Sequence, residues 1–504
     1  MECGGKRATA STTPPDGCAG GRTAGIGSVA FRLRLSFRNE RCGARTPLLN
    51  PAMLRPLCLY LAVVCITTAV ACAEIPAQPA DRFVDSIGVC THWSYGDTPY
   101  GFAFEGAKQR LLQSGIRHIR DSLSDRIVEL GNIGIRATIN VDADKPIAES
   151  LEKIKKANAA GARIDSIEGP NEPDLFWSRF KKSYAGQGYE QGATGIIAGV
   201  IAFQKDLYNA VKANAATRSL TVIGPSLGKT YGYDTKSPFG QGTLADAVDW
   251  GNFHPYPGGN PFNPPFPYAG VEKYIWHGGQ PSTSMDEHPF AFDIYAPPFS
   301  PKPMAATETG YSTFNDGPGE AAHAKYLPRL FCEYFRKGIQ RTFSYELVDE
   351  WNKPDDREAN FGLVRFDLSL KPAFFAMQRL IKLVEDPKAR PDFEAKPLPV
   401  DLEVTAAKGF NRTQYVHHLA LQRSDGTYLL LLWHEIALDD TSKKPWHRVP
   451  LAPPMPTKLK FAKTVKHAEV FVPNDSDEAI QFFQNIDQMT LGVLDRVMVV
   501  RLTF

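Results

Sequence analysis

From residue 86 onward the chain alternates short β-rich runs with longer helical stretches, and it does so eight times. The strands are expected at 86–93, 116–123, 135–142, 164–169, 220–225, 251–256, 302–307 and 340–348. Helices are expected at 104–114, 124–131, 146–160, within 189–216, and at 244–250, 320–337 and 372–384. Apolar strands separated by helices are the pattern of βαβ units and a parallel sheet. Eight units over roughly 300 residues fit a (β/α)8 barrel. A doubly wound open sheet is the rival. It would favour a glycine-rich phosphate turn after the first strand, and Cys90–Phe102 (CTHWSYGDTPYGF) is not one.

From about Pro391 the text changes. Short alternating runs appear at 400–405, 417–422, 428–434, 458–461, 467–472 and 497–503, with almost no helical period. This predicts a C-terminal antiparallel β-sandwich domain. The expected division is a barrel over 80–390 and a β domain over 391–504, the latter serving as support rather than as a sugar-binding module.

The N-terminus reads as something other than fold. Residues 1–52 are rich in Gly, Arg, Ser and Thr and carry no apolar period. They read as a leader or a misassigned upstream start. At Met53 a secretory signal begins: Arg55, a chargeless run from Leu57 to Ala73, and the small triplet Ala71-Cys72-Ala73. A membrane anchor is the rival reading, but the run is short for a span. Attachment of a lipid through Cys72 is a lesser alternative. The expectation is therefore a secreted or periplasmic protein with no stable membrane span once residues 53–73 are removed.

That reading changes the composition. Six of the eight cysteines lie before residue 74, which leaves only Cys90 and Cys332. A disulfide scaffold and a CxxC metal site are both excluded. A Cys90–Cys332 bridge and two buried free thiols are both open. Nine Lys/Arg but only three acids also fall before residue 74, so the net charge of +2 becomes mildly acidic in the remainder. A nucleic-acid partner is not expected of such a chain.

Two acidic residues stand where barrel strands four and seven end: Glu172 in SIEGPNEPDLFW and Glu308 in MAATETGYSTF. Carboxylates there face the mouth of the barrel, where barrel enzymes keep their sites. Glycoside hydrolysis needs such a pair. One carboxyl is protonated and donates to the leaving oxygen, and the other is ionised and attacks or activates water. A negative Glu308 would help keep Glu172 protonated. Glu168, Glu346 and Glu350 are rival carboxylates. Glu168 is expected as a buried paired acid, and Glu346 in an internal ion pair. His92 and Trp93, at the end of strand one, are expected to line the mouth. So are Trp177 and the loop aromatics Phe262, Phe266 and Tyr268, although packing is an equally good reading of these.

On these residues the chain resembles the retaining (β/α)8 glycoside hydrolases of clan A, with a trailing β domain similar to family 39 and its relatives. That pattern places the acid/base in Asn-Glu after strand four and the nucleophile after strand seven. Asn171-Glu172-Pro173 and Glu308 match it. The resemblance implies that Asn171 bonds the sugar 2-hydroxyl. It implies that His254-Pro255-Tyr256 is the His-x-Tyr after strand six, with Tyr256 on the nucleophile. It implies that Arg120 braces the nucleophile and that Trp351 is the sugar platform after strand eight. The function implied is a secreted retaining hydrolase acting on an oligo- or polysaccharide, with no metal and no cofactor. A non-catalytic glycan-binding protein on a retired barrel and a transglycosylase are the alternatives. The sequence leaves the sugar, the linkage and the oligomeric state open.

Overall fold

The structure is a computed structural model, and it describes residues 74–228, 237–257, 295–410, 413–440 and 451–504, with short pairs at 276–277, 280–281 and 447–448. The expected leader and signal, and Phe262, Phe266 and Tyr268, lie outside the described residues. Among the described residues no helix is long and apolar enough to cross a membrane.

Eight parallel strands form the barrel. They are β1 (Ile87–Cys90), β2 (His118–Asp121), β3 (Arg136–Asn140), β4 (Ile164–Glu168), β5 (Thr221–Ile223), β6 (Gly251–Phe253), β7 (Met304–Thr309) and β8 (Thr342–Ser344). Their order around the sheet is that of the chain, with β8 beside β1. The seam between β5 and β6 is closed by the Ile223–Trp250 bridge and by the bond from the Gly224 amide to the Trp250 carbonyl. The expected fold class is therefore the observed one.

The helices α1 (Phe104–Ser114), α2 (Asp125–Asn132), α3 (Ile147–Ala159), α4 (Gly192–Ala213), α5 (Glu320–Arg336) and α6 (Pro372–Val384) fall where the apolar period puts them. One expected helix does not form. Residues 244–250 hold only a 3-10 turn at Ala245–Ala247. The backbone there is needed elsewhere: the Asp249 amide donates to the Val222 carbonyl, and the Asp249 side chain accepts from the Val222 amide and Lys212. Closing the barrel takes precedence over local helix propensity.

The β domain is one seven-stranded sheet curled into a sandwich-like half-barrel. Its strands are β9 (Val400–Val404), β10 (Val416–Gln422), β11 (Tyr428–His434), β12 (Met455–Phe471), β13 (Ala479–Val493) and β14 (Met498–Thr503). The seventh is Ala77–Pro79, which runs parallel to β10, so residues just before the barrel belong to the C-terminal sheet. Two of the expected runs are halves of β12, which a register shift between Lys460 and Val465 divides. Strand β13 has no counterpart in the expectation. Its first ten residues are mostly exposed and show no inward apolar period until Met489, Leu491 and Val493.

Strand β11 explains how the two lobes meet. All seven of its residues are buried. Leu429, Leu431 and Trp433 join the same apolar core as the barrel helices, while Leu430 and Leu432 join the core inside the β domain. A sheet covered on both faces needs a continuous apolar run, and YLLLLWH is one. Across this contact Arg329 of α5, fully buried, bonds Glu435 and the carbonyls of Ile436 and Asp495. Cys90 and Cys332 are both buried and free, which settles their pairing.

Candidate active site

The residues at the mouth sit at the C-terminal ends of four strands. Arg120 is in β2. Glu168 ends β4, and Gly169-Pro170 then carries the chain to Asn171 and Glu172. His254 follows β6 directly, and Glu308 lies one residue before the end of β7. Strand direction alone thus brings them to one face.

Glu172 has φ 41 and ψ 53, a left-handed conformation rare for a residue with a side chain. It immediately precedes the helix Pro173–Arg179, whose first proline fixes the start. Backbone held in this region costs of order 1–3 kcal/mol and clusters at functional positions. The neighbouring backbone is anchored, because Asn171 pairs with Ser226 in a parallel bridge.

The carboxylates face one another across His254. Oxygens of Glu172 and Glu308 and a ring nitrogen of His254 all lie within 4.8 Å of one another. His254 Nδ1 is 2.8 Å from Glu172 Oε1 and 3.6 Å from Glu308 Oε2. Glu308 accepts from Arg120 Nη1 at 2.5 Å and from the Tyr256 hydroxyl at 2.8 Å. Arg120 Nη2 also donates to Asn171 Oδ1 at 2.7 Å.

The two carboxyls are driven apart in acidity. Burial, and then the charge of Glu308, raise the pKa of Glu172 above the ordinary carboxylate value, against the lowering effect of His254. Burial also pushes Glu308 up, but the charges of His254 and Arg120 and the Tyr256 hydroxyl outweigh it, so Glu308 is lowered. One carboxyl therefore holds a proton at a pH where the other is ionised. The sequence pointed to Glu308 as the cause of the raised Glu172; burial is the larger one.

Beneath them Glu168 is fully buried and takes Arg120 Nε at 2.5 Å and Nη2 at 2.9 Å. It also accepts from Asn252 Nδ2 and lies 2.9 Å from Thr307 Oγ1. Burial pushes its carboxyl up, but the Arg120 charge and the His254 ring bring it down to about 2.

The remaining expected residues are placed as follows. His92 bonds Glu350 at 2.6 Å and lies 3.5 Å from Glu346, whose carboxyl is pushed up to about 8 by its burial. Trp93 does not line the mouth; it is packed in the core, edge-on to Tyr100 and Phe104. Trp177 is also fully buried, and its indole donates to Asp142. Trp351 is partly buried, with Lys353 5.8 Å from its ring. The aromatic that meets the Glu308 partner Tyr256 is instead Tyr345, directly after β8, at a ring separation of 6.4 Å, with Phe361 at 5.6 Å. Strand β8 is shorter than expected, so its end, and the aromatic there, come six residues before Trp351. Asn252, Thr307 and Tyr345 were not singled out from the sequence. The first two were findable only as inward positions of β6 and β7.

No protein-family model matches the chain, and no curated protein does. Solved structures do match. A glucosidase from Croceicoccus marinus aligns at 10% identity and a TM-score of 0.52, covering 85% of this chain and 97% of that one. A family 39 glycoside hydrolase from the gut symbiont Bacteroides cellulosilyticus WH2 aligns at 16% identity and a TM-score of 0.49, covering 85% and 83%. A GH30 endoxylanase from Clostridium papyrosolvens C71 aligns at 11% identity and a TM-score of 0.45, covering 85% and 97%. The likeness to the glucosidase is one of fold: a (β/α)8 barrel with a C-terminal β domain.

Proposed function

We propose that the chain is a secreted retaining glycoside hydrolase acting on an oligo- or polysaccharide. The observation that carries this is the Glu172–Glu308 pair, with carboxylate oxygens within 4.8 Å and acidities shifted in opposite directions. One oxygen of each carboxyl lying within 4.8 Å of the other supports direct attack by one carboxylate, because insertion of a water between the two groups needs about 6.5 Å or more. Glu308 is the nucleophile, held ionised by Arg120 and Tyr256. Glu172 is the acid and then the base. Asn171, fixed by Arg120, presents its amide to the substrate beside Glu172. The part-buried rings of Tyr256 and Tyr345, with Phe361 packed edge-on against both, offer apolar area for the face of a sugar. Secretion rests on the apolar run at 57–73 and its small-residue end.

The test is to make Glu308→Ala and Glu172→Ala separately and assay both on a panel of aryl glycosides and glycans. Each should lose activity by roughly 10³-fold or more. Azide should restore part of the rate in one of them by forming a glycosyl azide. Full activity in both variants would refute the assignment.

A further inference from the structure

His254 is fully buried and touches both carboxylates of the pair, yet a double displacement as usually written gives it nothing to do. Its protons can be assigned from its neighbours. Nε2 lies 2.9 Å from Thr307 Oγ1. Thr307 has a single hydroxyl proton, and two acceptors stand 2.9 Å from it: Glu168 Oε1 and Asn252 Oδ1. Asn252 cannot reverse its amide, because Nδ2 serves Glu168 and the Gly224 carbonyl while Oδ1 accepts from the Thr307 amide. The threonine proton therefore points away from the ring, and Nε2 must be the donor. On the other side Nδ1 faces the oxygens of Glu172 and Glu308. With Glu168 and Glu308 ionised and Arg120 the one guanidinium beside them, the ring balances the buried charge only as an imidazolium, which donates from both nitrogens.

We propose that His254 is a positioning residue for both half-reactions, a shared cation whose charge offsets whichever of Glu308 and Glu172 is ionised. The proposal rests on the hydrolase reading above. In the first step a Glu308 oxygen forms a bond to the anomeric carbon. The glycosidic C–O bond breaks, its electron pair stays on the leaving oxygen, and that oxygen takes the Glu172 proton. Glu308 is now a neutral ester and Glu172 a carboxylate. In the second step water attacks the anomeric carbon and gives a proton to Glu172. The ester bond breaks and returns its electron pair to Glu308.

Charge bookkeeping shows why one shared cation suffices. In the free enzyme Glu168 and Glu308 are negative, Arg120 and His254 positive, and Glu172 neutral. In the glycosyl-enzyme the negative charge has passed from Glu308 to Glu172. The buried set is neutral in both states, so no uncompensated charge appears in the low-dielectric site. Without His254 both states carry one unbalanced negative charge. The groups facing the ring are Glu168, Glu172 and Glu308, with Arg120 and Tyr256 behind Glu308. Asp174 and Glu358 act on the carboxyls from further off. Burial alone would depress the ring, but the Glu308 charge and the hydrogen bonding toward Glu168 and Glu172 lift it to about 9.

The experiment has two arms. In the native protein, nitrogen NMR of His254 at pH 7 should show both ring nitrogens protonated, in the free state and after trapping with an activated fluorosugar aryl glycoside. A neutral ring at pH 7 in either state overturns the proposal, even if the protein turns over glycosides. In His254→Gln, both limbs of the kcat/KM pH profile should move up by about one unit, because the imidazolium lowers both carboxyls. The deglycosylation step should fall by about 10²-fold, so that the first turnover appears as a burst. Limbs that stay in place while kcat falls would reduce His254 to a packing role and overturn the proposal. A doubly protonated ring with no labelling of Glu308 would instead sink the hydrolase reading, and the shared-cation role with it.

Discussion

Arg120 directs two of its three guanidinium nitrogens at Glu168, a residue that is not one of the pair at the mouth: Nε lies 2.5 Å from Oε2 and Nη2 2.9 Å from Oε1. Only Nη1 reaches Glu308. The guanidinium thus has its plane fixed from below by a buried acid, and the contact to Glu308 follows from that plane.

Removing Arg120 therefore costs stability as well as activity. Arg120→Met leaves Glu168 buried without the guanidinium that bonds both its oxygens, and a broken buried pair costs roughly 3–5 kcal/mol. Arg120→Met/Glu168→Leu should recover much of that stability while remaining inactive, since Glu308 still lacks its brace. Urea denaturation of the two singles and the double gives the coupling directly. A double variant no more stable than Arg120→Met would show that the pair is not the source of the loss.

Acid stability follows from the same carboxyl. Glu168 is held down to about 2, below its value in the unfolded chain, so folding favours its ionised form. The contribution is fully present above the unfolded value of about 4.3 and is lost as the pH falls through it toward 2; its size is on the order of 3 kcal/mol. Glu168→Gln should be less stable than the native chain at pH 6, and the gap should narrow at pH 3. Parallel stability curves across that range would contradict the assignment.

Much of this was legible before any coordinates, for physical reasons. Strand and helix periods differ, so α1, α3 and α6 show in the text within a residue or two of where they form. Strand ends in a parallel barrel share one face, so Glu172 and Glu308 fall together from their places in the order of strands, while Asn171, His254, Tyr256 and Arg120 were legible through the resemblance to clan A. What the text hides is anything set by partners. The 3-10 turn at Ala245–Ala247 is decided by the seam with β5, and the depth of Trp93 by the rings around it. Tyr345 comes to stand beside Tyr256 because β8 stops at Ser344. Strand β13 hides because an edge strand with an exposed face carries no alternation to detect.

Glu172 has little room on its outer side. A methyl group on Gly228 would lie 2.9 Å from the Glu172 carboxyl carbon and 2.4 Å from Leu175 Cδ1. The Gly228 amide is tied to Asp174, so Gly228 itself cannot simply withdraw. Gly228→Ala should keep the fold, since only side-chain ends must shift, but should displace the Glu172 carboxyl. The expected loss in kcat is about 10²-fold with KM changed little, because a displacement of about 1 Å at a proton-transfer group has that effect. Substrates with good leaving groups need less protonation and should lose much less. An equal loss on both kinds of substrate would remove Glu172 displacement as the explanation.

The two lobes should not be separable. Leu419, Leu421, Leu429, Leu431, Trp433 and Val499 of the β domain lie in the same apolar core as Leu327, Phe331 and Leu380 of the barrel helices. Arg329 and Glu435, both fully buried, bond across this contact. Glu333 of α5 is reached by His417 of β10 and, at 3.0 Å, by the Trp433 indole. Cutting the chain after residue 390 would expose that apolar face and leave Arg329 and Glu333 without these partners. Each broken buried ion pair alone costs about 3–5 kcal/mol, a large part of the 5–15 kcal/mol that holds a typical domain. The barrel expressed as residues 74–390 should therefore be insoluble or molten. The intact protein should melt in one calorimetric transition, because neither lobe keeps a closed core once the other is lost. Arg329→Met should lower that transition by several degrees without splitting it. Two resolved transitions, or a soluble 74–390 fragment with native near-ultraviolet dichroism, would show the lobes to be independent and the β domain an appendage rather than part of the barrel's core.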